Sequence, residues 1–209
     1  METLLKPSFH ALEYFNIVEN NSFDCMHDVL EGVAGFTMKT IINHFVNIAK
    51  VISEEQLNNR VDNFHYGMAE SRDKPSANFS ARILNTKGNS LCQSALLSRA
   101  FPFIFVDLLC YFPQISNIIS DLLKITFYSF SNSINAVMID DLKISIDNFH
   151  ANFKICFPYV KPINKIHHIS HYPDTIKMNG PLSRMNCLQL EGKFKNFNDK
   201  LKAVETLGI

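Results

Sequence analysis

Apolar residues recur every three or four positions along much of the chain, which is the spacing of one face of an α-helix. The clearest run extends from about residue 26 to 51 and places Val29, Val33 and Ile41 on a single face. A second run extends from about 139 to 155. Because both are longer than three helical turns, they predict two long helices with one buried face each.

Shorter patterns between these runs complete the expected secondary structure. Ser53 is followed three positions later by Gln56, a capping-box pattern that predicts a helix start. The remaining predicted elements are buried helices over 101–112 and 115–139, helices over 53–64, 89–99, 165–172 and 184–204, a strand over the aromatic and β-branched residues 12–18, and an irregular arm over 66–89. The chain is therefore expected to be mainly α with a minor β part.

The composition agrees with one globular domain over residues 1–209. Apolar residues make up 46 % of the chain, which is enough to build a sizeable core. The 20 basic residues are balanced by 20 acidic ones, so a strongly basic, nucleic-acid-type surface over the whole domain is not expected. A basic patch on part of the surface is still compatible with this composition.

The cysteines and the apolar runs bear on the cellular compartment. The five cysteines are scattered without a C-x-x-C pair, which is typical of reduced thiols inside cells. The first residues lack the pattern of a signal peptide, and no apolar run is long enough to cross a bilayer. We therefore expect an intracellular protein, neither secreted nor membrane-spanning, with the nucleus as one option.

The first cluster of chemically active side chains lies where the first long helix is expected to begin. Asp24, Cys25 and His27 bring a carboxylate, a thiol and an imidazole within four positions. Helix starts collect unpaired N–H groups and a positive dipole end, which suit a carboxylate. Taken alone, Asp24 has the simpler role of a helix cap.

A second cluster follows between residues 165 and 195. His167, His168 and His171 have spacings of three and four residues, which on a helix could bind a metal ion. The alternative is that these histidines bond to backbone carbonyls or lie on the surface, and no cysteine pair nearby completes a zinc site. Glu191 could likewise be an exposed helical carboxylate paired with Lys195.

Basic residues in two regions are candidate DNA contacts. Arg72 and Lys74 lie in the irregular arm, and Lys193 and Lys195 lie on the last predicted helix. Their alternative role is to keep a helix face or a loop solvated. The sequence therefore predicts DNA as a partner only through local basic patches.

The order of the two clusters resembles the DDE transposases of DNA transposons, in particular the CACTA- and Kolobok-like superfamilies with a D-x-x-H signature. The resemblance spans nearly the whole chain, from residue 14 to 195. The matching features, in chain order, are Asp24-x-x-His27 within the block 22–33, the segment 66–75, the block 165–173, Gly180-Pro181-Leu182, and Glu191-x-Lys193. Either cluster alone would be a weak match.

The resemblance implies an incomplete RNase H-like α/β core with a large all-α insertion. Residues 1–30 would carry remnant strands and the D-x-x-H segment, 31–164 the helical insertion, and 165–209 a Glu-bearing helix. It further implies that Asp24 and Glu191 are metal ligands, and that Asp24, Glu191 and His27 are the catalytic residues. Two Mg²⁺ or Mn²⁺ ions at such a centre activate the attacking oxygen and stabilise the leaving oxygen of a phosphodiester.

The chain also departs from the family pattern. None of the 23 residues before Asp24 is an aspartate that could serve as the first carboxylate, and Phe194 stands where the family usually has histidine. We therefore expect a C-terminal transposase fragment that is inactive alone and retains DNA or protein contacts. Two alternatives stay open: an active half completed by upstream sequence, and an unrelated all-α protein-interaction domain. Self-association or pairing with another chain is compatible with each.

Overall fold

A computed structural model describes residues 23–68, 91–185 and 187, and for residues 91–96 it describes the backbone only. Of these residues, 76 % are helical and none lies in a strand. The predicted strand over 12–18, most of the arm over 66–89 and most of the last helix over 184–204 lie outside the described residues.

The expected minor β part and RNase H-like α/β core are wrong for the part of the chain that the structure describes. Asp24 leads directly into a helix, because Cys25 already has helical backbone angles (φ −60°, ψ −22°). The Asp24 carboxylate also accepts a hydrogen bond from the N–H of Met26 at 3.1 Å. A side chain that satisfies one of the first N–H groups favours a helix start at this point.

The first helix is one continuous stretch with a change of register at each end. Its middle part, α1 (Gly35–Asn43), is preceded by a π-helical segment, Met26–Ala34, and followed by another, His44–Ile48. A π-helix bonds each carbonyl to the fifth residue on, so each turn is wider than in an α-helix. The α-helices are α1 (Gly35–Asn43), α2 (Glu54–Asn63), α3 (Leu91–Ile104), α4 (Val106–Leu109), α5 (Pro113–Ser129), α6 (Ala136–Cys156), α7 (Asn164–His168) and α8 (Tyr172–Asn179).

The capping box predicted before α2 is confirmed. The Ser53 hydroxyl accepts from the Gln56 N–H at 3.1 Å, and the Gln56 side chain accepts from the Ser53 N–H at 3.0 Å. The end of α8 is equally local: Gly180 has φ +83°, a left-handed conformation that favours glycine and ends the helix. Both boundaries are set by residues within one turn.

The core is built around a helical hairpin formed by α5 and α6. Ile118, Leu122 and Ile125 of α5 recur at helical spacing and are buried, as are Leu142 and Phe149 of α6. Buried residues from the first helix, from α3 and from α8 belong to the same apolar cluster. The described part of the chain therefore shares one core, and none of its helices is long and apolar enough to cross a membrane.

The segment after α6 brings the second cluster of the sequence back to the first. After α7 the chain tightens into a 3₁₀ turn, Ile169–His171, and continues as α8. The predicted end of the helix before Pro173 is wrong, because Pro173 lies in the first turn of α8, where its missing N–H breaks no helical bond. Ile166, Ile169 and Tyr172 of this segment are buried.

Candidate functional site

The start of the first helix and the segment from α7 to α8 meet in a cluster that we call the junction. Its members are Phe23, Asp24, His27, Asp28, Lys165, His168, His171 and Tyr172. The ring of Phe23 packs on three of them, with centroid distances of 5.5 Å to His168, 5.8 Å to His171 and 5.9 Å to Tyr172. The structure therefore brings together the two clusters that the sequence singled out separately.

Lys165 crosses the first helix and bonds to its backbone. Its Nζ donates to the carbonyl oxygen of His27 at 2.8 Å. The stem of Lys165 passes directly over Gly32, where a Cβ would overlap the Lys165 Cδ and lie 3.2 Å from its Cβ. The absence of a side chain at Gly32 therefore makes this crossing possible.

Asp28 is the buried carboxylate of the junction, with 7 % of its surface exposed. The His168 Nδ1 donates to Asp28 Oδ1 at 3.2 Å, which joins α7 to the π-helical segment. Because a buried carboxylate is costly unless it is paired, this contact explains why an acid is tolerated here. Sequence reasoning missed Asp28 as a site residue, although it follows Asp24 by one helical turn.

The hydroxyl of Tyr172 is the unsatisfied polar group of the junction. The Tyr172 side chain is fully buried, and its hydroxyl has no hydrogen-bond partner. Burial raises the pKa of Tyr172 well above its usual range, and the negative charges of the nearby Asp28 and Asp24 carboxylates add to this increase. Asp28 thus acts on the hydroxyl electrostatically, but the geometry of a hydrogen bond between them is not met.

The Asp24 carboxylate accepts hydrogen bonds from the start of the first helix and from Cys187, which lies after α8. His27 Nδ1 donates to its Oδ2, and the N–H groups of Met26 and Cys187 donate to Oδ1 at 3.1 Å and 3.3 Å. Burial acts to raise the pKa of Asp24, but the hydrogen bonds from His27, Cys187 and Met26 outweigh it and hold the pKa below its usual value. Asp24 is therefore an anionic, partly exposed carboxylate whose side chain is 22 % accessible.

This lowered pKa predicts a pH-dependent contribution of Asp24 to stability. A carboxylate with a lower pKa in the folded than in the unfolded state stabilises the fold above its unfolded pKa, and this contribution is lost as the pH falls through the folded value. Asp24→Asn is therefore expected to lower the free energy of unfolding at about pH 6 and to have a smaller effect at about pH 3. Urea unfolding at both pH values measures it; an equal deficit at both would contradict it.

The predicted site residues divide into two groups. Asp24 and His27 are in direct contact, and His27 Nε2 also lies 3.9 Å from Glu31 Oε2. The predicted ligand Glu191 and the candidate DNA contacts lie outside the described residues; the latter are Arg72, Lys74, Lys193 and Lys195. Within the described ranges, no three His, Cys, Asp or Glu side chains are arranged to hold a metal ion.

Comparisons with known proteins add no relative to this picture. No protein-family model, no curated protein and no solved structure matches the chain. The interpretation of the site therefore rests on the geometry of the junction and on the motifs in the sequence.

Proposed function

We propose that this chain derives from a DDE-type DNA transposase, and that Asp24 and Glu191 hold one divalent cation weakly without cleaving DNA. The observation that supports this proposal is the bond from the Cys187 N–H to Asp24 Oδ1, across 163 positions of sequence. Glu191 follows Cys187 by four residues. Four residues of chain, which span at most about 14 Å when fully extended, therefore separate the predicted ligand Glu191 from a residue that is bonded to Asp24.

The hydrogen bonds to the Asp24 carboxylate leave it able to bind one cation rather than two. A carboxylate has about four acceptor positions, and the bonds from Met26, His27 and Cys187 use three of them. The remaining position is a hard, anionic oxygen of the kind that Mg²⁺ and Mn²⁺ prefer. A two-metal centre needs more negative charge than this one position supplies.

Manganese binding tests this proposal. Titration of Mn²⁺ against the protein, followed by the EPR signal of free Mn²⁺, is expected to show a Kd on the order of 10⁻³ M, at the weak end of carboxylate sites. Asp24→Asn and Glu191→Gln should each abolish this binding. Because both side chains would hold the same ion, the double variant should bind no more weakly than either single variant.

The control is Asp147→Asn, which removes an exposed carboxylate from α6 and should leave Mn²⁺ binding unchanged. Parent-like binding by Asp24→Asn or by Glu191→Gln would refute the shared site. A plasmid-nicking assay with Mn²⁺ tests the second half of the proposal, for which we expect no cleavage. Nicking that disappears in both Asp24→Asn and Glu191→Gln would show an active centre instead.

An all-α protein-interaction domain is the second candidate function. It is favoured by the absence of any strand in residues 23–68 and 91–185. It is also favoured by the large exposed side chains of Phe103, Val106 and Tyr111, which lie close together in sequence. On this alternative the Asp24 contacts are structural, so Mn²⁺ would not bind and the two variants would not differ from the parent in the titration.

A further inference from the structure

The side chains of His167 and His171 converge at the surface of the segment that follows α6. Both residues are exposed, and their Nε2 atoms lie 3.2 Å apart. The two rings are nearly perpendicular, with centroids separated by 4.8 Å. The four-residue spacing places them on one side of the helical segment.

This separation matches that of two nitrogen ligands on one metal ion. Zn–N bonds are about 2.0–2.1 Å long, so two imidazole nitrogens in tetrahedral geometry lie about 3.3 Å apart. Neutral imidazole is also a preferred ligand of Ni²⁺ and Cu²⁺. Without a metal, the two nitrogens can approach this closely as a hydrogen bond between one protonated and one unprotonated Nε2.

The residues around the two histidines show which imidazoles pair and how one of them is oriented. Phe23 stacks on His171 with an angle of 8° between the ring planes, which restricts the orientation of that imidazole. His168 is directed to Asp28 instead, so the pairing is 167 with 171. His167, but not His171, also lines an open cavity of about 550 Å³ beside Ser170.

We propose that His167 and His171 form a surface site for one transition-metal dication of the Zn²⁺ type, with solvent in the remaining coordination positions. Within the described residues no third His, Cys, Asp or Glu joins the pair, so the protein supplies two ligands. The site is separate from Asp24 in ligand type, because imidazole nitrogen selects borderline metals and carboxylate oxygen selects hard ones.

Calorimetric titration of the full chain with ZnCl₂ and with NiCl₂ tests the site. His167→Ala and His171→Ala are each expected to weaken binding by about tenfold or more, since each removes half of the protein ligands. Phe23→Ala should weaken it less, because it loosens the orientation of one ring without removing a ligand. Cu²⁺ bound by the parent should give an EPR spectrum with two nitrogen ligands.

Two control variants test whether the effect is specific to the histidine pair. His65→Ala removes another exposed histidine, and Cys110→Ser removes an exposed thiol that could bind Zn²⁺. Both should bind Zn²⁺ and Ni²⁺ like the parent. His167→Gln and His171→Gln should also bind the ions more weakly. Circular dichroism spectra of these variants that match the parent would exclude loss of folding as the cause of the weaker binding.

Two results would overturn the proposal: a parent chain that binds neither ion, or variants at 167 and 171 that bind both ions as the parent does. If Asp24→Asn lost Zn²⁺ binding and His167→Ala retained it, the result would show that Zn²⁺ binds at Asp24 rather than at the histidine pair. A failure of the manganese experiment leaves the histidine pair untouched, because the two sites share no ligand.

Discussion

Replacing Tyr172 by phenylalanine is expected to raise the free energy of unfolding by about 1–3 kcal/mol, the usual cost of a buried polar group without a partner. The Tyr172 hydroxyl is fully buried and unsatisfied, whereas the ring packs against Phe23 and belongs to the apolar core. Removing the oxygen alone therefore removes a cost and keeps the packing. Alanine should do the opposite and lower stability by about 3–5 kcal/mol, because it leaves a cavity.

Urea unfolding followed by far-ultraviolet circular dichroism measures both changes. Tyr159→Phe is the matched control, because Tyr159 is fully exposed and its hydroxyl should contribute nothing measurable. The opposite signs of the two Tyr172 variants are the essential result. A Tyr172→Phe variant less stable than the parent would mean that the hydroxyl has a partner in solution, such as a buried water molecule.

Gly32→Ala is expected to lower stability by about 1–3 kcal/mol, the usual cost of forcing an extra methyl group into a filled space. Alanine is normally the better helix residue by about 1 kcal/mol, so a loss would show that the clash exceeds the gain in propensity. The Cβ of alanine would overlap the Lys165 Cδ and would lie 3.1 Å from the His27 carbonyl oxygen, to which the Lys165 Nζ is bonded.

A double-mutant cycle with Lys165→Ala tests this cause. The shorter side chain removes the Cδ atom from the space above Gly32, although the Lys165 Cβ stays close. The cost of Gly32→Ala should therefore be smaller in the Lys165→Ala background than in the parent, with a coupling of about 0.5–3 kcal/mol. Equal costs in the two backgrounds would show that the first helix itself, rather than Lys165, resists a side chain at this position.

Sequence patterns were reliable where one turn of chain contains all the interacting groups. The Ser53–Gln56 capping box formed as predicted, and the long helices over 26–51 and 139–155 agree with the observed boundaries to within a few residues. The strand-bearing core, which came from a resemblance in motif order, is wrong for residues 23–68 and 91–185. Motif order says which residues a family shares, but backbone angles at Asp24 and Cys25 depend on local bonds, and these favour a helix.

The candidate site was predictable only in part. Asp24 and His27 are three residues apart, so their contact follows from helical geometry alone. The roles of Asp28, Lys165 and Tyr172 gave no clear signal, since a buried acid, a crossing lysine and an unsatisfied hydroxyl look like ordinary surface or core residues in a sequence. Each of them acquires its role from a partner on another element.

Amino-acid order alone thus set the helical periodicity, the helix caps and the two chemical clusters, because each depends on groups within a few residues. The tertiary structure decided which members of those clusters meet. Lys165 reaches the His27 carbonyl across 138 positions, and His168 reaches Asp28 across 140. No local preference specifies such pairs; they form because α7 packs against the first helix and buries Ile166, which aligns the polar groups beside it.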